Sequence, residues 1–124
     1  MHKILLADDQ EELRLLLEAT LEDEGYELIE AATGPEALSL ARSEMPSLVV
    51  LDWMMPGMSG LEVAQALKLD PATAGMPIIL LTARNQAEDR HKGHSAGISL
   101  YLSKPFSPIE LVEHVDRLLH AVAP

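Results

Sequence analysis

Residues 49–60, VVLDWMMPGMSG, carry an unbroken apolar run into Asp52 and then break up at Pro56, Gly57 and Gly60. Apolar residues without polar alternation mark a strand covered on both faces, and the Pro/Gly punctuation marks a loop. Asp52 therefore sits where a buried core gives way to a loop, a costly place for a carboxylate unless chemistry requires it. Outward from this point, short apolar runs alternate with longer amphipathic ones, the pattern of a parallel sheet between two helix layers. Residues 3–7, 27–31, 48–52, 77–82 and 99–104 predict five strands, with LVVL and IILL, in the third and fourth, as the central ones.

The intervening stretches read as helices. Leu13, Leu16, Leu17 and Leu21 recur at helical spacing, as do Leu111, Val112, Val115, Leu118 and Leu119. Three starts carry the capping-box pattern, a hydroxyl with Glu three residues on: Thr33/Glu36, Ser59/Glu62 and Ser107/Glu110, with Pro108 suited to a first helical position. The stretch 85–96, NQAEDRHKGHSA, offers only small apolar residues and holds Gly93, so it predicts the loosest helix. PATAG, 71–75, reads as a plain surface loop. Five β/α units in order make an α/β fold: a doubly wound, five-stranded parallel sheet with helices on both faces.

Composition narrows the function. A chain of 124 residues fits a single domain, 1–124. Twenty Asp and Glu against nine Lys and Arg give a formal charge of −11, which repels a phosphate backbone, and 3% aromatics supply few stacking platforms. Direct nucleic-acid binding by this domain is not expected. The absence of cysteine excludes disulfides and thiolate metal sites. MHKILLADDQ meets acids too soon for a signal peptide and no run approaches a membrane-spanning length, so a cytoplasmic protein without membrane contact is expected.

In a sheet of this kind ligands bind beyond the carboxyl ends of the strands. Asp8 and Asp9 follow the first strand, Asp52 ends the third, Thr82 the fourth and Lys104 the fifth, so three carboxylates, a hydroxyl and an amine converge at one edge. Carboxylates so crowded repel one another unless a cation intervenes. Oxygen donors suit Mg²⁺, while Lys104 and Thr82 suit phosphate oxygens, and together they would surround a phosphoryl group in transfer. Asp52 is then the natural nucleophile. Read singly, each residue has a plainer role: Asp9 and Glu12 stand at capping spacing, a strand-end Thr is often a turn residue, and a lone Lys is usually solvated. Their joint placement carries the reading. His91 and His94, one turn apart, read as a solvated helix face, and Met55 and Met58 as packing under the loop.

Asp8-Asp9, LDWMMPGMSG, Thr82-Ala83 and YLSKPF at 101–106 together resemble the receiver domain of two-component response regulators, over essentially the whole chain. The resemblance implies a flavodoxin-like strand order, 2-1-3-4-5. It also implies a phosphoacceptor switch in which Asp52 takes a phosphoryl group from a sensor histidine kinase or phosphotransfer protein. Asp9, Asp52 and the Met54 carbonyl would hold Mg²⁺, with Asp8 acting through water; Thr82, Lys104 and the amides of Met54 and Ala83 would hold the phosphoryl oxygens. Tyr101 matches the switch aromatic, turning inward when Thr82 is drawn to the phosphate and reshaping the face of the 85–96 helix, the fifth strand and the last helix for a downstream target. Such a regulator catalyses only its own phosphorylation and dephosphorylation.

Where winged-helix members carry an acidic pair before the switch aromatic, this chain has Ser99-Leu100, so their salt-bridged dimer is not expected. Met54 and Arg84 flank the phosphoryl site and crowd an in-line water, predicting slow self-hydrolysis. The chain closes on HAVAP soon after the last helix, which fits a free-standing regulator or the receiver of a longer protein. Two other classes stand beside the switch. A Mg²⁺-dependent phosphohydrolase with an aspartyl-phosphate intermediate commonly has a second Asp two residues after the nucleophile, where Met54 stands here. A receiver-like interaction module that is never phosphorylated would lack an acid, the nucleophile or the Lys, and none is missing.

Overall fold

A parallel sheet in the order β2-β1-β3-β4-β5 forms the middle layer of the protein. The structure, a computed structural model, describes residues 2–83 and 97–120; the helix predicted over 85–96, with Arg84, Gly93, His91 and His94, lies outside them. In chain order the elements are β1 (Lys3–Ala7), α1 (Glu11–Asp23), β2 (Glu27–Ala31), α2 (Gly34–Glu44), β3 (Leu48–Asp52), α3 (Gly60–Leu69), β4 (Ile78–Ala83), β5 (Leu100–Lys104) and α4 (Pro108–His120). No described helix is long and apolar enough to cross a membrane.

The apolar runs of β3 and β4 are buried from end to end because helices cover both faces. Strand periodicity sends Leu5, Val49, Leu51 and Leu80 into a core shared with Val63 and Leu67 of α3, and Ile4, Leu6, Val50 and Leu81 into one shared with Leu17 of α1 and Leu111 of α4. Each fully buried aliphatic side chain contributes about 1.5–3 kcal/mol. Along α1 the buried residues are Leu17 and Leu21, with Leu13 packed beside them; Leu16 lies off that face and is exposed.

Caps set the helix starts. Ser59 and Glu62 close a full capping box before α3. Before α2, Thr33 accepts from the Glu36 N–H at 3.3 Å, but Glu36 reaches past it to the Ala32 N–H at 2.8 Å. Ser107 accepts from the Glu110 N–H at 3.1 Å, with Pro108 opening α4. The 71–75 segment is more than a surface loop: buried Thr73 donates to the Leu67 carbonyl at 2.6 Å, and Lys68 donates to the Ala74 and Met76 carbonyls. Desolvation holds that ammonium's pKa below its ordinary value.

β4 and β5 each begin one residue later than the sequence suggests. Pro77 has no N–H for the ladder and offers only its carbonyl, to Val49. Ser99 forms a bend whose hydroxyl accepts from the Ile78 N–H at 3.1 Å and whose own N–H donates to the Ile78 carbonyl at 2.9 Å. Beside it, Leu100 packs against the α1/α4 core.

Candidate functional site

The strand register brings the carboxyl ends of β1, β3, β4 and β5 side by side, with Ala7 beside Leu51, Asp52 beside Leu81, and Ala83 beside Lys104. Parallel pairing of neighbours is what gathers residues 8, 9, 52, 82 and 104 from across the chain. Asp8 is fully buried, Asp52 is 6% exposed and Asp9 is exposed, and one carboxylate oxygen from each lies within 4.8 Å of the others. Lys104 Nζ reaches into the trio, 3.2 Å from Asp8 Oδ2 and 3.3 Å from Asp52 Oδ1.

One ammonium cannot balance three acids. Burial, and after it the facing charge of Asp8, pushes the Asp52 carboxyl up to about 6; Lys104 pulls it down by charge and hydrogen bond, and Asp9 adds a smaller upward push. Among the described residues the site is thus short of positive charge, and the donors of the trio are all hard oxygens. Asp8 is occupied by hydrogen bonds, from the Gln10 N–H to Oδ1 at 2.8 Å and from Lys104 to Oδ2. Asp9, and the Asp52 oxygen not paired with Lys104, are left as carboxylate oxygens that could hold a cation directly. This donor set fits Mg²⁺, which takes a couple of carboxylates and keeps several waters.

The loop after Asp52 owes its path to glycine. A Cβ on Gly60 would sit 2.3 Å from the Asp52 carbonyl oxygen, and the Gly60 N–H donates to the Trp53 carbonyl at 2.8 Å. The start of α3 can therefore press against the strand end only without a side chain. Gly57, at φ +83°, makes the turn that lets the Gly34 N–H bond the Pro56 carbonyl. Met55 and Met58 pack against the α2/α3 core, while Met54 stands 65% exposed beside the acids.

Thr82 ends up buried next to this cluster, and among the described residues its Oγ1 is the buried side-chain polar atom without a hydrogen-bond partner. An unbonded buried hydroxyl is costly, and a phosphoryl oxygen would relieve it. Tyr101 on β5 is half-buried against the α2/α3 core. The Ala83 backbone ends β4 beside Lys104. Asp8, Asp9, Asp52, Thr82 and Lys104 thus share one edge, while Arg84, His91 and His94 lie outside the described residues and Tyr101 lies further back along β5.

Asp9 does not cap α1. The N-cap is Gln10, without a side-chain cap bond, because the Asp8 carboxylate takes the Gln10 N–H in an Asx-type turn and starts the helix one residue later. Arg14 escaped the sequence reading altogether: its Nη1 donates to the Asp8 backbone carbonyl at 2.8 Å. Backbone carbonyl partners leave no sequence signal.

Residues 4–116 match the response regulator receiver domain. The chain belongs to that family. This receiver domain is 40% identical over 121 residues to the phosphate regulon transcriptional regulatory protein PhoB of Pseudomonas aeruginosa, covering 98% of this chain and 53% of PhoB. It spans about half the length of the curated relatives it matches first. The Vibrio cholerae chemotaxis response regulator CheY4 superposes with a TM-score of 0.90 at 34% identity, over 96% of this chain and 99% of that one. The receiver domain of the Pseudomonas aeruginosa sensor histidine kinase PA1611, with a magnesium ion coordinated in its active-site cleft, gives 0.86 at 29% identity over 95% and 97%. The flavodoxin-like receiver fold and strand order expected from the sequence are those found.

Proposed function

We propose that this receiver domain is a phosphoacceptor signalling switch in which Asp52 takes a phosphoryl group from the phosphohistidine of a sensor kinase or phosphotransfer protein. The observation that carries it is the buried Asp52 carboxylate, 3.3 Å from Lys104 and closed into a trio of acids within 4.8 Å. An Asp52 oxygen attacks phosphorus, the P–N bond breaks, and its electron pair leaves on the imidazole nitrogen, which takes up a proton; the product is an acyl phosphate. Asp9, Asp52 and the Met54 carbonyl would hold Mg²⁺, with Asp8 acting through water. When bound, the ion neutralises phosphoryl oxygens and the crowded carboxylates.

Lys104 supplies a fixed positive charge to a phosphoryl oxygen, and Thr82 Oγ1, buried and unbonded among the described residues, donates to another. The amides of Met54 and Ala83 complete the cradle. Tying up Thr82 frees space toward Tyr101, whose ring then moves inward and alters the face of β5 and α4 offered to a downstream target. Position 54 is Met, so no second acid stands there to drive turnover of phosphate esters, and the domain acts only on itself. The whole chain, 1–124, is read as one such domain working in the cytoplasm.

Incubation with Mg²⁺ and acetyl phosphate, followed by mass spectrometry, tests this. One phosphoryl group on Asp52, absent from Asp52→Asn and absent without Mg²⁺, is expected. An unmodified chain, or modification at another residue, sinks the proposal.

A further inference from the structure

Arg14 lies on α1, one turn beyond the loop that carries two of the three acids, and takes no direct part in the chemistry described above. Its Nη1 donates to the Asp8 carbonyl oxygen at 2.8 Å, and its Nε lies 3.4 Å from Glu30 Oε1 on β2. Glu30 adjoins Ala31, whose carbonyl accepts the Asp8 N–H at 3.1 Å. One guanidinium, its side chain only 18% exposed, thus ties the end of β1 to the end of β2 from the helix that follows. A planar fork can serve two acceptors at fixed directions, which a lysine ammonium cannot match.

The consequence falls on Asp9. The Asp8 carbonyl and the Asp9 N–H belong to one planar peptide, so a bond that fixes that carbonyl fixes how the chain enters Asp9. Among the described residues no hydrogen-bond donor holds the Asp9 carboxylate, and it is the exposed member of the trio. Among the described residues, only the backbone sets its place opposite Asp8 and Asp52. We propose that Arg14 is a positioning residue for the divalent-cation site: its hold on the peptide between Asp8 and Asp9 keeps the Asp9 carboxylate in place before the ion arrives. Groups behind metal ligands act in this way by sparing the ordering that binding would otherwise require. This inference rests on the cation reading given under Proposed function.

The test is a Mg²⁺ titration of the full chain read by fluorescence of Trp53, its only tryptophan and buried next to Asp52, paired with thermal melts without Mg²⁺. Arg14→Gln is expected to raise the Mg²⁺ midpoint about 10-fold or more, with phosphorylation from acetyl phosphate returning to the wild-type rate once Mg²⁺ saturates. Arg14→Lys should recover part of the affinity. Glu30→Gln, which keeps the Asp8 bond, should shift the midpoint less and serves if Arg14→Gln does not fold. A folded Arg14→Gln with an unchanged midpoint, whatever its melting temperature, overturns the inference, as does a rate that stays low at saturating Mg²⁺. A wild-type chain silent to Mg²⁺ overturns the cation reading and this inference together; a responsive wild type beside unresponsive differences among the variants overturns the inference alone.

Discussion

The two ends of the sheet treat acids in opposite ways. At the amino end, Asp116 of α4 accepts a hydrogen bond from the buried phenol of Tyr26, whose ionisation is pushed up by burial and by Asp116, and Lys3 lies 3.2 Å from Glu44. At the carboxyl end Lys104 pairs with Asp8 and Asp52, Asp9 stands beside them without an ion pair among the described residues, and the hydroxyl of Thr82 has no described partner. Among the described residues, the sheet therefore pairs its groups at one end and leaves charge to spare at the other. Groups left short of partners are where binding and chemistry concentrate, while matched groups serve the fold.

The sharpest way to break this contrast is to remove the nucleophile. Asp52→Asn, the same shape without the charge, should drop phosphorylation by acetyl phosphate to background, on the order of 10³-fold or more in initial rate. Lys104→Ala should slow the same rate by about 10²-fold at saturating Mg²⁺, since it removes the fixed charge proposed to face the phosphoryl oxygens.

Stability should move the other way. The folded Asp52 carboxyl titrates near 6 against an ordinary 3.8, so the folded state binds this proton more tightly than the unfolded one. Metal-free stability then falls as pH rises from about 4 to 6 and levels off above. Asp52→Asn should remove that fall and gain about 1–2 kcal/mol at pH 7 after allowance for solvent screening, with the gain vanishing below pH 4. Urea unfolding across this range in the presence of a chelator checks it. Tyr26→Phe, at the matched end, should cost about 1 kcal/mol in the same assay and leave the Mg²⁺ midpoint of Trp53 fluorescence unmoved.

What could be read beforehand follows the same division. The apolar runs fixed three strands to the residue, and the strand-end acids, Thr82 and Lys104 fell together because neighbouring parallel strands must bring them together. The sequence pattern misleads where a residue's partner lies outside its own element. Pro77 looks like a strand start but lacks the donor, and Ser99 looks like strand but spends its hydroxyl and its amide on Ile78. Leu16 shares the leucine spacing of α1 yet lies off the face that Leu13, Leu17 and Leu21 bury. Thr73 reads as loop until its bond to the Leu67 carbonyl is seen. Arg14 has no local pattern, since one partner is a backbone carbonyl and the other, Glu30, is brought up by β2.

Gly60 decides how a disturbance at residue 52 can spread. With no room for even a methyl group against the Asp52 carbonyl, and an amide bonded to the next carbonyl along, the first turn of α3 must travel with the strand end or hold it still. That flank is stiff. On the opposite flank the Thr82 hydroxyl has no described bond to surrender, so turning that side chain costs no hydrogen bond among the described residues.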